Sequence, residues 1–255
     1  MPEPPKTFLV AAVGPGLGTA LVCLLASAGN RVVAVARSTA ATGPIVAHAR
    51  ARGWDVVARH ADVLDGAQAE RLITTTFEEF GRVDGISINV GAWIPGETLL
   101  HRLSEEEWDA AIRRNLDGVY RIGRAALPRL IAQGSGSLVL VSASLAVRRA
   151  GNTAYDAAKA GVIELVARLA RDYRAFGIRV NGVLPGSMGH DLGSFDPPPA
   201  DRSIPLTNET RTSAWEVARA IRYLLTDESR WVSGTTLTVD GGESTGGPEP
   251  ATAPR

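Results

Sequence analysis

Seven short apolar runs recur along the chain, and helical periodicity fills most of the gaps between them. The runs are TFLVAAV (7–13), RVVAVA (31–36), WDVVAR (54–59), VDGISINV (83–90), GSLVLVSA (136–143), IRVNGVL (178–184) and TTLTV (235–239). Most are apolar at consecutive rather than alternate positions, as strands are when both faces of their sheet are covered. Helical spacing runs through 17–29, 66–80, 104–132, 153–176 and 212–226. Strands alternating with helices predict a doubly wound α/β fold. Its seven-stranded parallel sheet carries helices on both faces and takes ligands at the carboxyl ends of its strands.

One domain is expected over 1–242, with a lid over the aperiodic stretch 187–211, which includes His190, and a flexible tail at 243–255. The 27 basic side chains are balanced by 27 acidic ones and nowhere cluster, so no footprint for nucleic acid or an anionic membrane is expected. No stretch of 18 apolar residues appears, and the opening MPEPPK does not resemble a signal peptide. The lone Cys23 lies in an apolar helical run, where a small buried hydrophobe is expected rather than a nucleophile. Cytoplasm is the expected location. No His, Cys, Asp and Glu spacing suits a metal, and none is expected.

Between the first strand and first helix stands AAVGPGLG, with Gly14, Gly16, Leu17 and Gly18 at the turn. Glycines there let backbone N–H groups and a helix N-terminus approach a pyrophosphate, which points to a Rossmann-type fold and a dinucleotide; the alternative is a simple turn. The second strand ends in Ala36, Arg37 and Ser38, where an acid would meet the ribose hydroxyls of NAD. A guanidinium at Arg37 can instead pair with a 2′-phosphate, so NADP is expected in preference to NAD. Asp62, with Val63 beside it, suits the adenine edge; the alternative is that Asp62 caps the next turn.

Only two of the 27 basic residues are lysines, Lys6 and Lys159, and the second follows Tyr155 by four positions in YDAAK. Residues at i and i+4 share a helix face. A cation about 4 Å from a phenol, at an effective dielectric near 20, contributes roughly 4 kcal/mol toward ionisation, enough to make tyrosine a general acid/base. An ammonium is compact with three rotatable donors, and it can reach ribose hydroxyls where a guanidinium fork cannot.

Thirteen residues before Tyr155 is Ser142, in VLVSAS; NVG (89–91), Asn115 in RRNLDG, NGVLPG (181–186) and TVDGG (238–242) complete an ordered set. Together these motifs resemble the short-chain dehydrogenase/reductase family over about residues 7–242. The resemblance implies proton exchange between Tyr155 and a carbonyl or alcohol oxygen, with Ser142 hydrogen-bonding that oxygen. Lys159 would bind the nicotinamide ribose and depress the tyrosine pKa, and Asn115 would hold a water linking Lys159 to solvent. Asn89 and Gly91 would line the cofactor, and Pro185 and Gly186 would shape its nicotinamide end. Ser144 is a rival for the serine role, at a less suitable spacing. The substrate is expected among Trp93, Ser144 and Met188; Arg148 and Arg149 suit solvent or a subunit contact better than a substrate acid.

Two departures stand out. Ala12 replaces the first glycine of the family's turn, which is expected to alter that turn and weaken cofactor binding, and Ile88 replaces an asparagine. The implied activity is NADP(H)-dependent interconversion of a small-molecule carbonyl and a secondary alcohol. The alternative is a non-catalytic NADP-binding sensor or structural protein. Relatives of this kind pair through the helices near 104–132 and 153–176, so a homotetramer or homodimer is expected.

Overall fold

Alternate residues of each central strand face two separate apolar cores, and this fixes the layering of the molecule. Leu9, Val33 and Leu138 point to one side, into a core shared with the helices at 66–80, 118–133 and 153–173. Their neighbours Phe8, Val32 and Val139 point to the other, against helices at 17–27 and 214–225. The period-two alternation of side chains across a pleated strand allows no other division. Residues 5–189, 192–199 and 211–245 are described by the computed structural model of the chain.

The strands are β1 (Thr7–Ala11), β2 (Arg31–Ala36), β3 (Val56–His60), β4 (Gly85–Ile88), β5 (Gly136–Val141), β6 (Ile178–Pro185) and β7 (Thr236–Val239). They form one parallel sheet in the order β3-β2-β1-β4-β5-β6-β7. The order reverses between β1 and β4, where Ala11 is in register with Ile88, so a crevice opens beyond those two strand ends. The helices are α1 (Leu17–Ser27), α2 (Thr39–Arg52), α3 (Gly66–Phe80), α4 (Glu105–Ile112), α5 (Gly118–Gln133), α6 (Leu145–Ala150), α7 (Thr153–Tyr173) and α8 (Ala214–Leu225).

Three helical features differ from expectation. α2 falls where no helical stretch is expected; it contains Pro44 and buries only Thr42, Ile45 and Ala49. The helix expected over 104–132 is divided by a π turn at Arg113–Asp117. The stretch 143–152, which carries no expected helical spacing, contains α6, whose first turn is capped by Ser144. Of the lid stretch, 190–191 and 200–210, with His190, lie outside the described residues, as does 246–255 of the tail. The described part of the lid leans on α2. Asp196 hydrogen-bonds His48 at 3.1 Å and pairs with Arg52, and the ring of Phe195 meets His48 edge-on.

At the end of β1, Ala12 adopts φ 63, the left-handed conformation that favours glycine. Alanine holds it at a cost of about 1–2 kcal/mol. Ala12→Gly relieves that strain but loosens the unfolded chain by about 0.5–1 kcal/mol, leaving a net gain under about 1 kcal/mol. We expect Ala12→Gly to raise the thermal midpoint by about 2 °C in calorimetry. An unchanged or lower midpoint would show that the surroundings compensate the alanine.

Candidate active site

The carboxyl ends of β1, β4, β5 and β6 gather most of the singled-out residues. At the first turn, Gly18 could not carry a side chain, because a Cβ there would lie 2.7 Å from the Cα of Val13. The closeness comes from α1 starting hard against the end of β1, with Gly16 at its N-cap and Gly14 accepting from the Thr19 hydroxyl at 2.8 Å. Leu17 opens that helix, whose first turn holds no acidic residue. An anion at this N-terminus would therefore meet only N–H groups and the positive end of the helix dipole.

Along the same edge, the Asn89 backbone N–H bonds Ala11 O at 3.2 Å, and its side-chain oxygen accepts from the Ser87 hydroxyl at 2.7 Å. The remaining group, Asn89 Nδ2, is buried without a hydrogen-bond partner. A buried orphan donor costs about 1–3 kcal/mol. Beside the glycine turn, it marks a place where a ligand acceptor would be stabilised.

Arg37 and Ser38 follow β2 and are exposed. Arg37 has no ion-pair or hydrogen-bond partner among the described residues, and the Ser38 hydroxyl makes no capping bond to α2. Asp62, past β3, accepts from the Leu64 N–H at 2.9 Å; it holds the turn, which was the alternative role. Val63 is buried beside it.

The centre of the site is Lys159. It is buried, and its ammonium donates to Val90 O at 3.2 Å and Val141 O at 3.3 Å, at the ends of β4 and β5. Gly91 makes this possible, since a Cβ there would overlap the Lys159 ammonium and sit 3.1 Å from Asn115 Oδ1. Asn115, in the π turn, accepts from the Ala92 N–H at 3.0 Å and donates to Ala111 O at 3.1 Å. Ser142 lies just past β5, and its hydroxyl donates to the Lys159 carbonyl at 2.7 Å. Tyr155 and Lys159 are both buried on the inner face of α7.

The electrostatics differ from expectation. Burial pushes the Tyr155 phenol up to about 12; the cation acting against that rise is Arg148, while Asp156 adds to it. Lys159 has its own pKa held down to about 8 by burial. Desolvation outweighs the helical neighbour, because the same burial that brings the two together penalises both charged forms.

At the remaining positions, Pro185 ends β6 in register with Val239. A Cβ on Gly186 would overlap the Thr212 hydroxyl, so the chain there tolerates only glycine. Trp93 is 53% exposed on the loop after β4. Ser144 is occupied as the α6 cap, with Val147 N–H donating to it at 3.4 Å. Met188 bridges to Thr212 and packs against the α1–α8 core, which leaves it a lid-root residue. Cys23 is wholly buried, and burial raises its thiol to about 12, far from a nucleophile. Two residues escaped the sequence reading. Asn152 caps α7 by accepting from the Tyr155 N–H at 2.8 Å, which an asparagine before a helical stretch could have signalled. Gly151 lies against the Tyr155 ring, and nothing in the sequence marks it.

Comparison with known proteins agrees with this geometry. A family model described as enoyl-(acyl carrier protein) reductase matches residues 11–244. A 3-oxoacyl-[acyl-carrier-protein] reductase of Synechocystis sp. is 34% identical over 241 residues, which cover 93% of this chain and 96% of that protein. One from Thermotoga maritima is 33% identical over 242 residues, 93% of this chain and 97% of that protein. Among solved structures, a short-chain dehydrogenase/reductase from Burkholderia xenovorans matches with TM-score 0.82 at 30% identity, over 95% of this chain and 98% of that one. A 3-ketoacyl-ACP reductase from Sinorhizobium meliloti 1021 gives TM-score 0.82 at 27% identity, over 94% and 99%. With nearly its whole length matched and its motifs brought to one crevice, the chain belongs to the short-chain dehydrogenase/reductase family.

Proposed function

We propose that the protein is an NADP(H)-dependent reductase of carbonyl compounds to secondary alcohols, with Tyr155 as its proton donor. The carrying observation is the junction of buried Tyr155, Lys159, Asn115 and Ser142 beside a glycine turn with an orphan amide at Asn89. Bound NADPH would supply the hydride to the carbonyl carbon. The residues present suit such a cofactor. Gly14, Gly16 and Gly18 would face its pyrophosphate, Arg37 and Ser38 its 2′-phosphate, and Asn89 and Lys159 its ribose.

Lys159 has three N–H donors and gives two to strand carbonyls, which leaves one for a ribose hydroxyl. The Tyr155 phenol, with its proton affinity raised by burial, is fully protonated at neutral pH, the form that reduction needs. Its hydroxyl donates the proton to the carbonyl oxygen. Ser142 would turn its hydroxyl from the Lys159 carbonyl to that same oxygen, and Asn115 would position water on the route back to solvent. The relatives' names point to a 3-oxoacyl chain as the carbonyl compound. Trp93, Leu99 and Leu100, exposed on the segment after β4, would offer an acyl chain an apolar wall.

We also place the chain in the cytoplasm, as a homo-oligomer built through α4, α5 and α7. Trp108 and Tyr120 are exposed on two of those helices, where a second copy would cover them. Light scattering at micromolar concentration should give a multiple of 26.8 kDa, and a monomer mass would remove this part of the reading.

Two substitutions test the chemistry. Tyr155→Phe should lower kcat by about 100-fold or more while NADPH binding, followed by fluorescence, holds. Normal turnover by that variant would end the proposal, and turnover by neither protein across a panel of 3-oxo and simple carbonyl compounds would favour the non-catalytic alternative. Arg37→Ala should weaken NADPH binding about ten- to hundredfold and leave NADH binding unchanged, as the loss of a charge-assisted hydrogen bond predicts. Equal losses for both cofactors would count against a 2′-phosphate contact.

A further inference from the structure

The chain does not run directly from β5 into α7. It inserts α6, which Ser144 caps and Gly151 ends. Gly151 has φ −88 and ψ 179, an extended backbone any residue adopts, so its dihedrals do not call for glycine. Space does. A Cβ on Gly151 would lie 2.5 Å from Tyr155 Cδ1 and 3.2 Å from its Cγ and Cε1. The phenol ring therefore rests directly on the Gly151 backbone.

That seat is itself tied down. The Gly151 N–H donates to Arg148 O at 3.1 Å, and the Asn152 N–H donates to Ile94 O at 2.9 Å on the far side of the crevice. Arg148 Nη1 then donates at 2.8 Å to Oδ1 of Asp156, the residue after Tyr155. The contacts run from the ring to Gly151, from Gly151 to Arg148, and from Arg148 to Asp156, which follows Tyr155 on α7. The Arg148 side chain is only 15% exposed, and its Nε is buried without a partner, so its charge is poorly screened by water.

We propose that α6 is a clamp on Tyr155, in which Gly151 fixes where the ring lies and the Arg148–Asp156 ion pair, which joins α6 to α7, sets the balance of charge acting on its hydroxyl. The clamp rests on Tyr155 being the acid/base of the reaction. The charged groups concerned are Arg148 on α6 and Asp156 and Lys159 on α7; β5 presents Ser142, which is neutral. Lys159 turns its ammonium to the ends of β4 and β5. Arg148 and Asp156 thus act on the phenol in opposite senses, the guanidinium favouring its ionised form and the carboxylate opposing it.

The sign of each substitution follows. Asp156→Asn leaves Arg148 unopposed, so the phenol ionises at lower pH. Arg148→Gln removes the favourable cation and does the reverse. In alcohol oxidation, which requires the phenolate, the rising limb of the kcat–pH profile should move down in Asp156→Asn and up in Arg148→Gln. Each shift should be about half to one pH unit, after allowance for the partial exposure of Asp156. Gly151→Ala should lower kcat about tenfold or more with NADP affinity unchanged, because it displaces the ring and not the cofactor. In a Tyr155→Phe background, adding Gly151→Ala should cost no further rate.

All variants would be checked for fold by circular dichroism and thermal midpoint. Should Gly151→Ala fail to fold, the two charge variants carry the test alone. Opposite shifts of the two limbs support the clamp. Limbs that stay in place, or move together, overturn it even when Tyr155→Phe is inactive; an active Tyr155→Phe would instead overturn the acid/base reading on which it rests.

Discussion

A buried ammonium is the constraint around which the site is built. Lys159 lies inside the molecule with two carbonyl oxygens for partners and no carboxylate. A charge so placed is tolerated only where its donors are aimed at fixed dipoles. The dipoles here are the carbonyl of Val90, two residues past β4, and that of Val141, the last residue of β5. Room for the ammonium comes from Gly91, and Asn115 closes the opposite wall from a π turn. Such turns interrupt a helix at a cost and recur at functional sites, and this one separates α4 from α5 where a single helix would otherwise run.

The cost of that arrangement has a definite pH dependence. The unfolded chain binds the lysine proton up to its ordinary value near 10.5, whereas the folded protein holds it only below about 8. Between those values the unfolded state binds more protons, so stability rises with pH through that window. At neutral pH, then, the folded protein carries the full penalty of the buried charge. Ala12, held at positive φ, and the unpaired Asn89 amide are penalties of the same kind on neighbouring strand ends. Their clustering at the carboxyl ends of the strands is how a ligand-ready surface differs from packing.

Much of this was legible in the residues. The seven strands are visible because continuous apolar runs bounded by Gly, Pro and Asn have few other readings, and Ser142, Tyr155 and Lys159 are visible because their spacing is short and rigid. α2 was not, since its only buried residues are Thr42, Ile45 and Ala49 and it includes Gly43 and Pro44, which leaves no apolar stripe. The break at Arg113–Asp117 was hidden for the opposite reason: the sequence on both sides is good helix, and the turn that separates them holds Asn115, bonded to Ala92 across the site. The sense of the Tyr155 shift lies beyond sequence altogether. Spacing can place a cation near a phenol, but the depth of burial, which decides the sign, is set by the crevice as a whole.

That depth gives the two halves of the α7 pair complementary resting states. Tyr155, raised to about 12, keeps its proton; Lys159, lowered to about 8, holds its own only moderately above neutrality. Of the two groups, the ammonium is the one that holds its proton less tightly. Dryness therefore does more than position the residues. It also orders them: under the proposed reduction, a proton lost by Tyr155 would be replaced from the looser-held proton of Lys159.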